Sequence, residues 1–250
     1  MRMHFLGAGS SSNTAQHSSA VFETRNGDRL LIDCGFGVLT HYQRRYGQWP
    51  EAAFITHAHL DHIGDLERWF FAVITQAAPT PKLFVPVTVI DILHRRLADY
   101  PGQLSEGGSN FWDAFHLVPV TRQFWYSSLS FSVWPTRHHA PDSAFALQLA
   151  GAFFYSGDTR PIPEVLHHHA MHGEIIFHDA TWTANPSHSA MEEIKSAYTP
   201  DVLERLWVYH YDHNQRNEQA RMGLNLVQAG MTFDLPAREA STLHAMRKVS

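Results

Sequence analysis

The chain has 250 residues with a formal net charge of −5, and 44% of its residues are hydrophobic against 17% charged. This composition excludes a disordered chain, because it can bury a sizeable core, and the acidic balance excludes the broad basic field of a general nucleic-acid binder. Histidine is abundant, with 19 residues, as many as Lys and Arg together. Because histidine binds metals and transfers protons near neutral pH, this surplus predicts one of those two kinds of chemistry.

The first half of the chain predicts a run of short strands followed by strand–helix alternation. Apolar patterning and turn residues predict strands at Met3–Leu6, Ala20–Thr24, Arg29–Asp33, Ala52–Thr56 and Lys82–Val85. Helical spacing of apolar residues predicts helices at Val38–Arg45, Ile63–Gln76 and Val87–Asp99. The Gly- and Ser-rich segment Gly102–Asn110 predicts a surface loop.

The middle of the chain is rich in β-structure, and the alternation resumes after it. Strands are predicted at Phe115–Val120, Phe124–Tyr126, Ser130–Thr136, Ala144–Leu149 and Ala152–Ser156. Helices are predicted after Pro161, from near Ser189 and over Glu218–Gln228, between strands at Glu174–His178, Arg205–Tyr209 and Met231–Asp234. Two strand meanders, each followed by alternation, predict an α+β fold with two facing mixed sheets flanked by helices. No linker-like segment divides the chain, so residues 1–250 are predicted to form a single domain.

The single cysteine, Cys34, cannot form an intramolecular disulfide or a Cys-rich zinc site. Its place in an apolar strand predicts a small buried residue. No stretch approaches the roughly 18 apolar residues of a membrane span, and the apolar run at the N-terminus is too short for a signal peptide. The sequence therefore predicts a cytoplasmic protein with no membrane association.

The strongest chemical signal is the segment HAHLDH at residues 57–62, directly after an apolar strand. Residues two apart in an extended segment point to the same side, so His57 and His59 can share one metal ion. A turn near Asp61 brings that carboxylate and His62 beside the first pair. Four N and O ligands within this short segment are enough to begin two adjacent metal sites; a His-rich polar loop is the alternative.

HAHLDH resembles the H-x-H-x-D-H signature of the metallo-β-lactamase-fold hydrolases, which implies an αββα four-layer sandwich. The next family motif is expected after the strand Ser130–Thr136, where His138 and His139 are adjacent. Ribonuclease Z-like members place a His here, with a Gly-Tyr pair six and seven residues later. Counting from His138 gives Ala144 and Phe145, a closer match than counting from His139. His138 is therefore the preferred ligand, and His139 stays open as the alternative.

Two later segments also resemble the ribonuclease Z branch. The letters SGDTRP at residues 156–161 match its S-G-D-T-R-P segment, in which the Asp bridges two metals, and a strand ending in His210 matches its last ligand. The resemblance implies two metal ions with a bridging carboxylate between them. The first ion would be held by His57, His59 and His138. The second would be held by Asp61, His62 and His210, and Asp158 would bridge the two. Such N and O ligands make zinc the first expectation for two divalent ions, with manganese or iron open.

A second ribonuclease Z signature, an acid-A-T followed by H-S/T, resembles DAT at residues 179–181 and HS at 188–189. The resemblance gives His188, which lies 22 residues before His210, the role of assisting the leaving group. It implies that Asp179 and Asp61 also belong to the catalytic residues. A His at a helix N-terminus beside a Ser cap is the alternative for His188. Arg160 could contact phosphate or pair with a nearby Asp.

The interval from His138 to Asp158 is only 20 residues, whereas ribonuclease Z enzymes insert a long tRNA-clamping arm there. With the acidic net charge, this predicts a small-molecule substrate rather than extended nucleic acid. The length and spacing resemble more closely the small phosphodiesterase of the carbon–phosphorus lyase pathway, which acts on a cyclic ribose phosphate. That relative has a Cys-rich zinc site that Cys34 alone cannot build. A second departure is Asp212, where the branch has Ser.

The sequence therefore predicts a metal-dependent hydrolase of a small anionic phosphodiester, such as a cyclic nucleotide or sugar phosphate. Two divalent ions lower the pKa of a shared, bridging water, which generates hydroxide near neutral pH, and they neutralise charge on the phosphate. Hydrolysis of a thioester or lactone on the same centre is the alternative within enzymes. A non-catalytic metal-binding regulatory module is the alternative from another functional class. The sequence also leaves open whether the protein forms a homodimer.

Three other segments carry weaker signals. His167–His169 predicts a solvated helix face rather than a metal site. Trp69–Phe71 predicts core or lid packing rather than a base-stacking platform. Phe111 and Trp112, beside the Gly-rich loop, are candidates for a flap that contacts substrate.

Overall fold

Two seven-stranded mixed β-sheets form the centre of the protein, and helices cover their outer faces. The computed structural model describes residues 1–12, 16–98, 110–170, 173–212 and 223–236. The predicted αββα arrangement, with two facing mixed sheets flanked by helices, is confirmed. The predicted Gly102–Asn110 loop lies outside the described residues apart from Asn110.

The first sheet has antiparallel strands at one side and parallel strands at the other. Its strands are β1 (Arg2–Gly7), β2 (Ser19–Glu23), β3 (Arg29–Ile32), β4 (Ala52–Phe54), β5 (Lys82–Pro86), β6 (His116–Val120) and β14 (Thr232–Asp234). In space they follow the order β14-β1-β2-β3-β4-β5-β6. Neighbours are antiparallel from β14 to β3 and parallel from β3 to β6. The carboxyl ends of β3, β4 and β5 therefore meet at one edge of this sheet.

The second sheet repeats this mixture. Its strands are β7 (Gln123–Tyr126), β8 (Leu129–Pro135), β9 (Phe145–Leu149), β10 (Phe153–Tyr155), β11 (Ile175–Asp179), β12 (Leu206–Tyr209) and β13 (Asn225–Leu226). The spatial order is β13-β12-β11-β10-β9-β8-β7, with β10 to β13 parallel and β7 to β10 antiparallel. The carboxyl ends of β8, β10, β11 and β12 consequently lie at the same edge of this sheet.

Seven α-helices cover the sheets in the described part of the chain. They are α1 (Val38–Tyr46), α2 (Leu60–Ile63), α3 (Leu66–Ile74), α4 (Val87–Leu93), α5 (Pro163–His169), α6 (Met191–Ala197) and α7 (Pro200–Arg205). A π-helical turn, His94–Ala98, continues α4, and a 3-10 helix covers Phe111–Ala114. Within the described residues, no helix is both long enough and apolar enough to cross a membrane.

Two helix predictions differ from the structure. The predicted helix Ile63–Gln76 is divided into α2 and α3, and the division brings the backbone N–H of Asp65 to the carbonyl of Cys34 at 2.9 Å. The predicted helix Glu218–Gln228 is wrong at its C-terminal end, where Asn225–Leu226 is an edge strand parallel to β12. Pairing with β12 wins there over helical spacing, since it satisfies the backbone and buries Leu226. Residues 218–222 of that prediction lie outside the described part of the chain.

Aromatic side chains fill the space between the sheets. Phe22, Phe131 and Phe153 pack across the interface with ring centroids 5.5 to 6.3 Å apart, and Phe124 stacks on Phe131. A second cluster packs α5, α6 and α7 on the outer face of the second sheet. Cys34 is buried, as predicted. Packing of the second sheet on both of its faces fixes the positions of its strand ends, as a precise site at those ends requires.

Candidate metal centre

Histidine and aspartate side chains from both sheets meet where the strands end. His57 follows β4 of the first sheet, whereas His138, Asp158 and His210 follow β8, β10 and β12 of the second. The two edges are joined directly, since the backbone N–H of Phe145 donates to the carbonyl of Thr56 at 3.1 Å. Side chains that are far apart in the sequence therefore lie close enough together to bind the same metal ion.

One group of donor atoms could hold a metal ion beside β4. His57 Nε2 and His138 Nε2 each lie 3.1 Å from His59 Nδ1. Asp158 Oδ2 lies 3.5 Å from His57 Nε2 and 3.8 Å from His138 Nε2. Zn–N bonds of about 2.0–2.1 Å in a tetrahedron put neighbouring ligand atoms roughly 3.3–3.4 Å apart, so this group has the spacing of one metal site.

A second group lies against the first and shares Asp158. His210 Nε2 is 3.3 Å from Asp61 Oδ2, and His62 Nε2 is 3.6 Å from the same oxygen. Asp158 Oδ2 is 3.3 Å from His62 Nε2 and 3.5 Å from His210 Nε2. One carboxylate oxygen therefore faces both groups, which is the arrangement that a bridging ligand requires.

The ring nitrogens of His57 and His138 that face away from the centre have oxygen partners of their own. His57 Nδ1 donates to Thr56 Oγ1 at 3.0 Å, and His138 Nδ1 donates to the carbonyl of Ser187 at 2.9 Å. His62 Nε2, by contrast, is buried without a hydrogen-bond partner among the described residues. Metal-bound histidines characteristically donate their second N–H to an oxygen in this way, and they leave the other nitrogen for the ion. The donor set therefore fits a metal centre.

Electrostatics at the centre favour a cation. Burial lowers the pKa of His57 well below its ordinary value and that of His59 to about 4, so both rings are in the neutral form that binds metals. Burial also opposes charge on His210, yet Asp158, Asp179 and Asp61 raise its pKa to about 10. A carboxylate field that stabilises a proton on this ring will stabilise a divalent ion in its place.

Gly157 gives Asp158 its position. Its φ of 61° lies in the left-handed region, and a Cβ there would come within 2.7 Å of the carbonyl oxygen of Phe145. Only glycine fits this turn without strain, because it has no side chain to clash. The turn directs Asp158, which is 1% exposed, straight from the end of β10 into the centre.

The structure separates the two adjacent histidines that the sequence left as alternatives. His138 is buried in the first donor group, whereas His139 is exposed and lies outside every group of potential metal ligands among the described residues. Its ring packs against His138 and His59 with centroids 4.2 and 4.7 Å apart. His139 therefore borders the centre on its solvent side.

His188 and Asp179 form a hydrogen-bonded pair at the centre. His188 Nδ1 donates to Asp179 Oδ2 at 2.8 Å and lies 3.9 Å from Asp158 Oδ2. Burial alone would lower the pKa of His188, but the bond to Asp179 raises it. Helix α6 begins only at Met191, and Ser189 donates to the carbonyl of Thr159 instead of capping that helix. The pair therefore points to proton chemistry rather than to helix capping.

The remaining candidates from the sequence lie elsewhere. Arg160 pairs with Glu193 at 3.0 Å, not with an Asp. Phe111 stacks on Phe70 in the buried core, which does not support a flap role for Phe111. Trp112 donates to His94 Nδ1 at 2.6 Å. In the Trp69–Phe71 segment, Trp69 is buried and Phe71 is partly exposed. In the His167–His169 segment, His167 and His168 are exposed and His169 stacks on Trp134. The backbone carbonyl of Asp212 accepts a hydrogen bond from Trp182.

Sequence reasoning missed Asp33, which connects both donor groups. Its Oδ2 accepts from His62 Nδ1 at 2.8 Å and from Thr56 Oγ1 at 2.8 Å, and Thr56 in turn holds His57. Asp33 is fully buried at the end of β3, beside the end of β4. A carboxylate that ends an apolar strand next to the HAHLDH strand was the available signal. Only the parallel pairing of β3 and β4 makes the two ends adjacent.

We expect Asp33→Asn to weaken metal binding by about 10- to 100-fold, because the amide no longer fixes the tautomer and orientation of His62. Competition with a chromogenic chelator measures this affinity. Asp28→Asn, in the exposed turn before the same strand, is the matched control and is expected to bind metal normally. Equal metal affinity in the two variants would show that Asp33 does not organise the centre.

A protein-family profile described as "Anti-Pycsar protein Apyc1" matches residues 1–233. The anti-Pycsar protein Apyc1 of Paenibacillus harenae is 28% identical over 246 residues, which cover 94% of this chain and 100% of the relative. The metallo-β-lactamase-fold protein YhfI of Bacillus subtilis superposes with a TM-score of 0.68 at 15% identity, covering 93% and 99% of the two chains. A diphosphatase of the PhnP family gives a TM-score of 0.71 at 17% identity, covering 94% and 98%.

These matches confirm the predicted metallo-β-lactamase fold and the predicted hydrolase class. The fold similarity extends over more than nine-tenths of the chain. The family match covers every donor residue described above, from His57 to His210. The chain belongs to the anti-Pycsar protein Apyc1 family.

Proposed function

We propose that this protein is a phosphodiesterase that hydrolyses a small phosphodiester, such as a cyclic nucleotide, with two divalent ions. The observation that supports this most directly is the position of Asp158, whose Oδ2 faces donor atoms of both groups within 3.8 Å. Two ions a few Å apart suit displacement at phosphorus, since such pairs stabilise both the attacking and the leaving oxygen. The N and O donors make zinc the first choice, with manganese or iron as alternatives.

The residues of the chain would divide the work. His57, His59 and His138 would hold one ion, Asp61, His62 and His210 the other, and Asp158 would bridge them. When bound, the ions lower the pKa of water and neutralise charge on the phosphate. Among the proposed ligands, Asp61 and Asp158 contribute two negative charges against the four positive charges of two divalent ions, so the ions keep positive charge that can attract the phosphate of an anionic diester.

His188 is proposed to protonate the leaving oxygen. Because its Nδ1 donates to Asp179 at 2.8 Å, Nε2 is the ring nitrogen that remains to serve the substrate. Asp179 is a positioning residue that fixes this orientation, and its hydrogen bond raises the pKa of His188. Expulsion of an alkoxide is slow without an acid, so this pair favours a phosphodiester with a poor leaving group.

A small substrate is favoured over extended nucleic acid. The interval between His138 and Asp158 is occupied by the antiparallel strands β9 and β10, joined by a short turn at Gly151. No long arm that could clamp an RNA can extend from this interval. The net charge of −5 also provides little attraction for a polyanion outside the centre itself.

The proposal is tested by assaying the metal-loaded protein on bis-p-nitrophenyl phosphate and on a panel of cyclic nucleotides. We expect turnover that is lost on chelation and restored by zinc or manganese. Thioesters and lactones form a parallel panel, and turnover of those substrates alone would favour the acyl-hydrolase alternative. Absence of metal-dependent hydrolysis on both panels, together with less than one bound ion per chain, would favour a non-catalytic regulatory module.

A further inference from the structure

Two consecutive residues at the end of β11 hold the two ends of one segment of the chain. On the side of the centre, Asp179 Oδ2 accepts from His188 Nδ1 at 2.8 Å. Successive residues of a strand point to opposite faces, and on the other face His178 Nε2 lies 2.6 Å from the hydroxyl of Tyr198. His188 lies just before α6, and Tyr198 directly follows it. Residues 188–198 are therefore fastened at both ends to neighbouring positions of one strand.

The hydrogen bonds around Tyr198 run in a single direction. The backbone N–H of Ile162 donates to the Tyr198 hydroxyl at 2.8 Å, and His178 Nδ1 lies 2.7 Å from the carbonyl oxygen of Asp179. Because a carbonyl oxygen can only accept, Nδ1 carries the proton of the His178 ring. Burial lowers the pKa of His178, so the ring is neutral and its Nε2 accepts from the Tyr198 hydroxyl. We call these four groups the Tyr198 network.

The Tyr198 network is buried behind the centre rather than inside it. Ile162, His178 and Tyr198 are all buried, and Ile162 and Tyr198 belong to the hydrophobic cluster on the outer face of the second sheet. None of the three belongs to a group of potential metal ligands among the described residues. A buried polar group that loses its partner is costly, so the groups of the network keep one another in place.

The segment that contains α6 also contacts the chain that follows β10. At its near end, the backbone N–H of Ser189 donates to the carbonyl of Thr159 at 3.1 Å. At its far end, Tyr198 accepts from Ile162. Since β10 and β11 are parallel neighbours, α6 is held between the ends of both strands. A displacement of the far end of α6 would therefore displace His188 relative to the centre.

We propose that Tyr198 and His178 are positioning residues, which hold His188 in its orientation by fixing the far end of α6. This inference rests on the proposed phosphodiesterase function, in which His188 protonates the leaving oxygen. Neither residue lies among the donor atoms, so both act through α6 and through the backbone of Asp179. A misplacement of about 1 Å in a catalytic group can reduce a rate by about 10²-fold. Loss of one remote hydroxyl therefore changes catalysis without removing a reacting group.

Tyr198→Phe keeps the ring and removes only the hydroxyl. We expect this variant to lower kcat on an alkyl phosphodiester by about tenfold, with KM changed by less than about twofold, because the misplaced group acts only in the transition state. Turnover of bis-p-nitrophenyl phosphate and the metal content should stay the same, since p-nitrophenolate leaves without a proton. An equal fall on both diesters, or an unchanged kcat on the alkyl diester, would overturn the proposal.

Tyr126→Phe is the matched control. Its hydroxyl donates to the carbonyl of Arg29 at 2.8 Å, and Tyr126 pairs with Leu129 at the start of β8, at the opposite end of the sheet from the centre. Both substitutions remove one tyrosine hydroxyl that bonds to the protein, so each should lower the melting temperature. Only Tyr198→Phe should change the ratio of rates on the two diesters. The same change of ratio in Tyr126→Phe would show that reduced stability causes it.

Variants of His178 test whether its bond with Tyr198 carries the effect. His178→Gln keeps an amide oxygen that can accept from the hydroxyl and should retain most of kcat on the alkyl diester. His178→Leu keeps apolar bulk without an acceptor and should resemble Tyr198→Phe. Because both break the same bond, the double variant Tyr198→Phe/His178→Leu should be no slower than either single variant. Additive losses would overturn the proposal, since the two residues would then act separately.

Nitrogen-15 NMR of the histidine rings in the zinc-loaded protein measures this coupling without turnover. His178 should carry its proton on Nδ1, and Tyr198→Phe should shift the ring signals of His188, whereas Tyr126→Phe should not. Unchanged His188 signals in Tyr198→Phe would overturn the proposal. Shifted His188 signals in a protein that hydrolyses no phosphodiester would refute the phosphodiesterase function instead, and the coupling between Tyr198 and His188 would stand.

Discussion

Asp158→Ala is expected to reduce turnover of a phosphodiester by about 10³-fold or more, since the ions contribute several kcal/mol of transition-state stabilisation and each ~1.4 kcal/mol is a factor of ten. Asp158 is the one side chain whose carboxylate faces both donor groups among the described residues. Its removal leaves buried imidazoles around a position without negative charge. Both ions should therefore bind more weakly at once.

Metal content and activity of Asp158→Ala are measured together. Elemental analysis after dialysis should show that the bound metal falls in parallel with turnover, and Asp158→Asn, which keeps the shape, should show the same loss in a folded protein. Asp201→Asn, in the exposed first turn of α7, is the control for removing a carboxylate and should keep both properties. Retention of full metal content with full turnover would exclude Asp158 as the bridging ligand.

His188→Ala is expected to slow hydrolysis of diesters with poor leaving groups by about 10²- to 10⁴-fold, the usual contribution of a positioned general acid. The loss should be small for bis-p-nitrophenyl phosphate, because p-nitrophenolate leaves without a proton. A series of aryl and alkyl diesters measures this dependence as the slope of rate against leaving-group pKa. The slope should be steeper in the variant than in the unsubstituted protein.

The same variant distinguishes proton transfer from metal binding. His188 Nδ1 is 3.9 Å from Asp158 Oδ2, close enough for His188 to be considered as a ligand. A general acid can be removed without loss of metal, whereas a ligand cannot. We therefore expect His188→Ala to keep its metal content, and we use His167→Ala, an exposed histidine of α5, as the control. Loss of metal with a uniform fall in all rates would assign His188 to the ligands instead.

Local patterns predicted most of the strands, and they failed where long-range pairing decides. The apolar runs that end at Phe54 and Tyr155 are strands in the structure because they are buried on both faces. Asn225 and Leu226 lie in a segment whose apolar residues have helical spacing, but in the structure they pair with the edge of β12 as a strand. No property of a short window reports such an edge. The division between α2 and α3 likewise follows from a backbone contact with Cys34.

The sequence by itself determined the chemical inventory, the fold and the hydrolase class. HAHLDH and the glycine before Asp158 carry this information locally, because ligand spacing and turn conformation depend on a few neighbouring residues. The prediction of the ligand set from these motifs is consistent with the clustering of all seven side chains. It stays a prediction until a metal is measured.

Only the tertiary structure decided which side chains share a position. His138 and His139 are adjacent residues of the same type, and their burial differs. The His138 ring is buried in the first donor group, whereas the His139 ring is exposed. Asp33 belongs to no motif, and its role depends on the parallel pairing of β3 and β4, which places the ends of the two strands side by side. Contacts between residues far apart in sequence depend on the packing of the whole chain, so no local pattern encodes them.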